Sequence, residues 1–98
     1  MGQTIEIIRA TVLGKVLLVD SDRTLAGQDG VAFVSSIGAG RAEGAPALLA
    51  QRLFEADPEI DHVFVMSNSV SVGRRKDWSA DAVEEASGVI SALFSFYG

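Results

Sequence analysis

Glu55, Asp57, Glu59 and Asp61 alternate along the chain, and His62 follows directly. Carboxylate oxygens at that spacing, with an imidazole beside them, are a donor set for a metal ion such as Ca²⁺ or iron. The run has neither the central glycine nor the terminal glutamate of an EF-hand loop, and Pro58 stiffens it. The competing expectation is a solvated turn between a helix and a strand. His62 is the single histidine. It has no recognisable nucleophile signature around it, so no Ser-His-acid triad is expected and the chain reads as no enzyme. Arg74-Arg75-Lys76 is the sole basic cluster, and Asp77-Trp78 follow it. Arginine and tryptophan are favoured anchors of protein interfaces, which makes Arg74, Arg75, Lys76, Asp77 and Trp78 a candidate partner-binding patch. A charged strand exit that blunts a sheet edge is the structural alternative.

Residues 38–44, Gly-Ala-Gly-Arg-Ala-Glu-Gly, place glycines where a phosphate-binding loop would have them, after one strand and before a helix. A dinucleotide fold needs several parallel strands, and 98 residues leave room for too few crossover units. A loop without ligand is the expectation. The glycine loop 38–44 and the acidic segment 55–62 together define an alternative function, binding of a small ligand or a metal ion.

Composition narrows the rest. Without a cysteine the chain has no thiolate for a zinc ribbon, an iron–sulfur cluster or nucleophilic catalysis, and no resident cofactor is expected. Eight basic against thirteen acidic residues leave a net charge of −5, which disfavours a nucleic-acid surface. The longest apolar run, Val16 to Val19, is far short of the ~20 residues of a spanning helix. No basic start followed by an apolar stretch marks export, so a cytoplasmic protein with no membrane contact is expected.

The elements that must position these groups follow from periodicity. Residues 4–9, 15–19 and 31–37 are rich in β-branched residues and predict three strands, with Gly14 just before the second. Pro46 suits the first turn of a helix that runs to Ala56 with Leu49 and Leu53 on one stripe, and Asp57-Pro58 ends it. Asp61 to Met66 and Ser69 to Val72 predict a hairpin around Ser67-Asn68. Ser69 and Ser71, or Val70 and Val72, must then lie on the sheet face away from the helices. Ser79 is an expected N-cap, with Trp78 and Val83 at the spacing of a hydrophobic staple. Val83, Ala86, Ile90, Leu93, Phe94 and Tyr97 form the stripe of the last helix. Gly88 inside it predicts a close approach of another element. The order β-β-β-α-β-β-α predicts an α+β two-layer sandwich, a mainly antiparallel sheet with two helices on one face, as a single domain over residues 1–98.

The stretch Leu49-Ala50-Gln51-Arg52-Leu53-Phe54, then Ile60 to Val65, Ser69-Val70-Ser71-Val72 and Asp77-Trp78, resembles the N-terminal domain of the Nfu/NifU-type iron–sulfur cluster scaffold proteins. The similarity covers residues 45–97; over 4–37 it is a match of strand order. Where that family often has a proline- and asparagine-rich turn, this chain has Arg9 to Gly14. In two-domain members the cluster is held by a Cys-x-x-Cys pair of a separate domain, and the N-terminal domain contributes to partner recognition. The resemblance therefore implies a non-catalytic adaptor in iron–sulfur cluster assembly or delivery. Its partner would be a cluster carrier or an apo-target, with the chain itself a monomer or weak homodimer.

Overall fold

The computed structural model describes residues 6–35, 38 and 44–93. Its elements are β1 (Ile7–Leu13), β2 (Val16–Ser21), β3 (Val31–Phe33), α1 (Ala45–Ala56), β4 (Ile60–Met66), β5 (Ser69–Arg74) and α2 (Ala80–Ser91). The strands form one antiparallel sheet in the order β1-β2-β5-β4-β3, so the last strand of the chain lies at its centre. Among the described residues this is the expected α+β arrangement, five strands and two helices in the expected order.

Several strand boundaries differ from expectation, and β2 and β5 each run two residues further, to Ser21 and Arg74. The first strand runs through Arg9 to Leu13 instead of ending at Arg9, because Thr11, Val12 and Leu13 suit an extended, exposed edge strand. The chain reverses only at Gly14 and Lys15, between the paired residues Leu13 and Val16. Gly14 takes φ +63 at the first turn position, which a residue without Cβ adopts freely. The β4–β5 turn uses the same sign of φ at Ser67, φ +53. There the backbone is held externally: Ser67 N–H donates to the Gly27 carbonyl at 3.1 Å, and its own carbonyl accepts from Leu25 and Ala26. The third strand covers Val31–Phe33 only, with Val34 and Ser35 in a bend.

Alternation along the strands decides the core. Leu17 and Val19 of β2, Val63 and Val65 of β4, and Val70 and Val72 of β5 are fully buried on one face. Leu49 and Leu53 of α1, Ala86 and Ile90 of α2, and Leu93 pack onto them as a single cluster. Each such aliphatic side chain contributes roughly 1.5–3 kcal/mol by leaving water. Ser79 caps α2 as expected, its hydroxyl accepting from Ala82 N–H at 3.1 Å, and Trp78 and Val83 both pack against the core. The outer part of the α2 stripe, Phe94 and Tyr97, lies outside the described residues. One expectation about α2 fails. A Cβ built on Gly88 meets nothing within 4 Å, so no element among the described residues approaches it closely. It lines an open cleft between the two helices with Arg52, Glu55, Glu85, Val89 and Ala92. No helix among the described residues is long and apolar enough to cross a membrane.

Candidate interaction surface

The basic cluster separates into two kinds of residue. Arg74, the last residue of β5, turns inward. Its Nε donates to Asp57 Oδ2 at 2.8 Å, with the two side chains only 12% and 11% exposed. Its guanidinium carbon lies 5.3 Å from the centroid of the Trp78 ring, within cation–π range, and Nη1 donates to the Asp77 carbonyl. Trp78 is tied down in turn, its indole N–H donating to the Lys15 carbonyl at 2.9 Å. Arg74 and Trp78 thus form an internal brace joining the β5 exit, the end of α1 and the β1–β2 turn. Neither is a free docking group, so of the five residues of the candidate patch Arg74 and Trp78 serve within the fold. Arg75, Lys76 and Asp77 are exposed. Arg75 is partly oriented by a bond from Nη1 to the Pro58 carbonyl at 2.8 Å, and its N–H donates to the Glu59 carbonyl. The brace holds the loop, and the loop presents Arg75 and Lys76.

The acidic run is not assembled as a metal centre. Asp57 is buried at the C-terminal end of α1, where its Oδ1 accepts from Glu59 N–H at 3.0 Å and its Oδ2 pairs with Arg74. Its oxygens complete the turn and balance a cation, so the expectation of a wholly solvated turn also needs correction at this position. Asp61 pairs with its neighbour His62, Oδ1 to Nδ1 at 2.7 Å, on the surface. Among the described residues no three His, Cys, Asp or Glu side chains gather to hold a metal ion. The alternation that looked like ligand spacing points successive carboxylates in different directions, because Glu55 belongs to α1, Asp61 to β4, and Asp57 and Glu59 to the turn between them. Of the glycine loop 38–44, only Gly38 and Gly44 fall within the described residues. Gly38 N–H donates to the Ser35 hydroxyl, and Gly44 precedes α1 with φ +95.

A second surface escaped sequence reasoning. Both helices cover the same sheet face, and the core valines settle that Ser69 and Ser71 lie on the other one. The strand register places Thr11, Leu18, Ser71 and Phe64 in one row across β1, β2, β5 and β4. The adjoining rows are Arg9, Asp20, Ser69 and Met66, and Leu13, Val16, Gly73 and His62. Leu13, Leu18 and Met66 are exposed there. A shallow depression of about 350 Å³ is lined by Arg9, Thr11, Leu18, Asp20, Ser69 and Ser71, with Ser69 Oγ donating to Asp20 at 2.7 Å. The His62 ring lies directly over Gly73: a Cβ there would come within 1.8 Å of His62 Cε1. The signal for this face was present but masked, because Leu18 sits between two core residues and reads as part of one buried apolar run.

No protein-family model matches the chain, and no curated protein matches it. Among solved structures, the fold is similar to that of protein SAV1430 from Staphylococcus aureus, with a TM-score of 0.59 and 14% sequence identity. The superposition covers 91% of this chain and 98% of that one. At that identity the likeness is one of fold, which is shared almost end to end.

Proposed function

We propose that the chain is a non-catalytic protein-interaction module. On the resemblance of residues 45–97 to the Nfu N-terminal domain, we place it as an adaptor in iron–sulfur cluster assembly or delivery. Its partner is then a cluster carrier or an apo-target. The observation that carries the interaction reading is the brace of Arg74, Asp57 and Trp78, which leaves Arg75 and Lys76 projecting from a fixed loop. A charge pair held in place before binding loses less conformational entropy on docking than one on a mobile loop. On a chain of net charge −5, two adjacent exposed cations also favour one orientation toward an acidic partner.

The test is a calorimetric titration with a purified cysteine-bearing iron–sulfur carrier, comparing the natural chain with the double variant Arg75→Glu/Lys76→Glu. Arg74 stays untouched, since reversing it would break the brace. Binding that weakens with salt and falls at least about tenfold in the double variant supports the proposal. Unchanged affinity in that variant removes the patch, and stoichiometric iron retained by the isolated chain after gel filtration overturns the adaptor reading.

A further inference from the structure

The two edges of the sheet are unequal. β3 is three residues long, a length that offers little template for another strand. β1 is seven residues long, with neither proline nor lysine in it, and every residue after Ile7 is exposed. Its only interruption is a register shift between Ile7 and Arg9, a bulge that leaves Ile8 out of the pairing with β2. From Arg9 to Leu13 the pairing is continuous. Along its outer side that straight segment has no strand partner among the described residues, with Val12 42% and Leu13 61% exposed.

We infer that β1 pairs antiparallel with β1 of a second copy, about a two-fold axis at Thr11, to give a continuous ten-stranded sheet. The segment is self-complementary as a pairing edge. Antiparallel pairing of Arg9–Leu13 with itself uses the whole straight segment only when Thr11 faces Thr11. Ala10 then faces Val12, and Arg9 faces Leu13, so its aliphatic stem lies along an apolar neighbour. The two Arg9 residues fall at opposite ends of the seam, each in register with Asp20 of its own chain. Alternation is respected as well: Arg9, Thr11 and Leu13 share the open face, and Ala10 and Val12 share the helix side. An unrelated strand would need no such symmetry. A seam of five residues is smaller than the roughly 1,600 Å² of a standard stable interface, so the dimer is concentration-dependent. The contact is an isologous one, in which one surface serves both partners.

The test uses charge at the axis. Thr11 is exposed, so Thr11→Asp and Thr11→Lys leave the core intact, which circular dichroism checks directly. Each variant alone puts two like charges face to face at the axis, and an equimolar mixture puts opposite charges there. In sedimentation equilibrium the natural chain is expected to move from one to two chain masses as concentration rises from micromolar to millimolar. Each variant alone should stay at one mass, and the mixture should recover two. Since the chain has no cysteine, Thr11→Cys gives an independent reading. Directly opposed residues of antiparallel strands have Cα atoms about 4.5–5.5 Å apart, within disulfide range, so mild oxidation should give a covalent dimer. A natural chain that stays monomeric at millimolar concentration overturns the inference. So do charged variants that dimerise alone, or a Thr11→Cys chain that crosslinks no faster than Val34→Cys on an exposed bend.

Discussion

Replacing Gly88 by alanine should stabilise this protein. Gly88 lies inside α2, where glycine costs about 0.5–1 kcal/mol relative to alanine, because its unfolded state has more backbone freedom to lose. Two structural terms could cancel that gain. A positive φ would strain any side chain, but Gly88 has none. A crowded neighbour would clash, but the added methyl meets no atom within 4 Å. It enters the cleft beside Arg52, Glu55 and Val89 without filling it, so packing adds little in either direction. The expected change is therefore the backbone term alone, about 0.5–1 kcal/mol. For a domain of this size that raises the thermal midpoint by roughly 2–8 °C. Urea unfolding followed by circular dichroism should show a higher midpoint and an unchanged slope, since the surface exposed on unfolding barely alters. A midpoint that falls by a few degrees would refute the reasoning, because it would mean that the groove between the helices is occupied in the folded protein.

Two further outcomes follow from side-chain geometry. Asp57→Ala leaves the Arg74 guanidinium buried without its counter-charge and should cost about 3–5 kcal/mol in urea titrations, whereas Lys76→Ala should stay within about 0.5 kcal/mol; equal effects would mean that the brace is not what holds the loop. Gly73→Ala forces the His62 ring off the sheet and should destabilise the chain by about 1–3 kcal/mol, with most of the loss recovered in Gly73→Ala/His62→Ala. Additive effects in that double-mutant cycle would show that the ring does not cover Gly73.

The layer architecture was legible because it depends on local signals. Leu49 and Leu53 repeat at helical spacing, Val70 and Val72 alternate, and Ser79 announces the cap of α2. Such cues act over four or five residues, and the observed elements follow them. What stayed hidden depends on pairs distant in sequence. Asp57 reads as one carboxylate among four; only the fold brings Arg74, seventeen residues later, onto its Oδ2. The same holds for Lys15 and Trp78, joined across sixty-three positions by one hydrogen bond. The first strand was misplaced for another reason. The resembling family has its turn at Arg9 to Gly14, whereas here Thr11, Val12 and Leu13 suit a strand and Gly14 offers the positive φ that a reversal needs. Gly88 is the opposite case: a glycine within a helix invites a packing explanation, and no described residue packs against it.

The brace and the edge strand bear on each other through Lys15. Its carbonyl accepts from Trp78 Nε1 and from the backbone N–H of Arg74, which anchors the exposed cations to the β1–β2 turn at one end of the sheet. A two-fold axis through Thr11 reverses the strand direction, so the same turn of the second copy lies at the opposite end of the seam. Arg75 and Lys76 of the two chains are then carried apart, and neither pair crosses the axis. Self-association through β1 consequently neither covers nor crowds the basic loop. The depression lined by Arg9, Thr11, Leu18 and Asp20, by contrast, borders the seam directly and becomes part of one face continuous across both copies. Loss of dimerisation and loss of partner binding are therefore separable failures: one arises from charge at Thr11, the other from charge at Arg75 and Lys76.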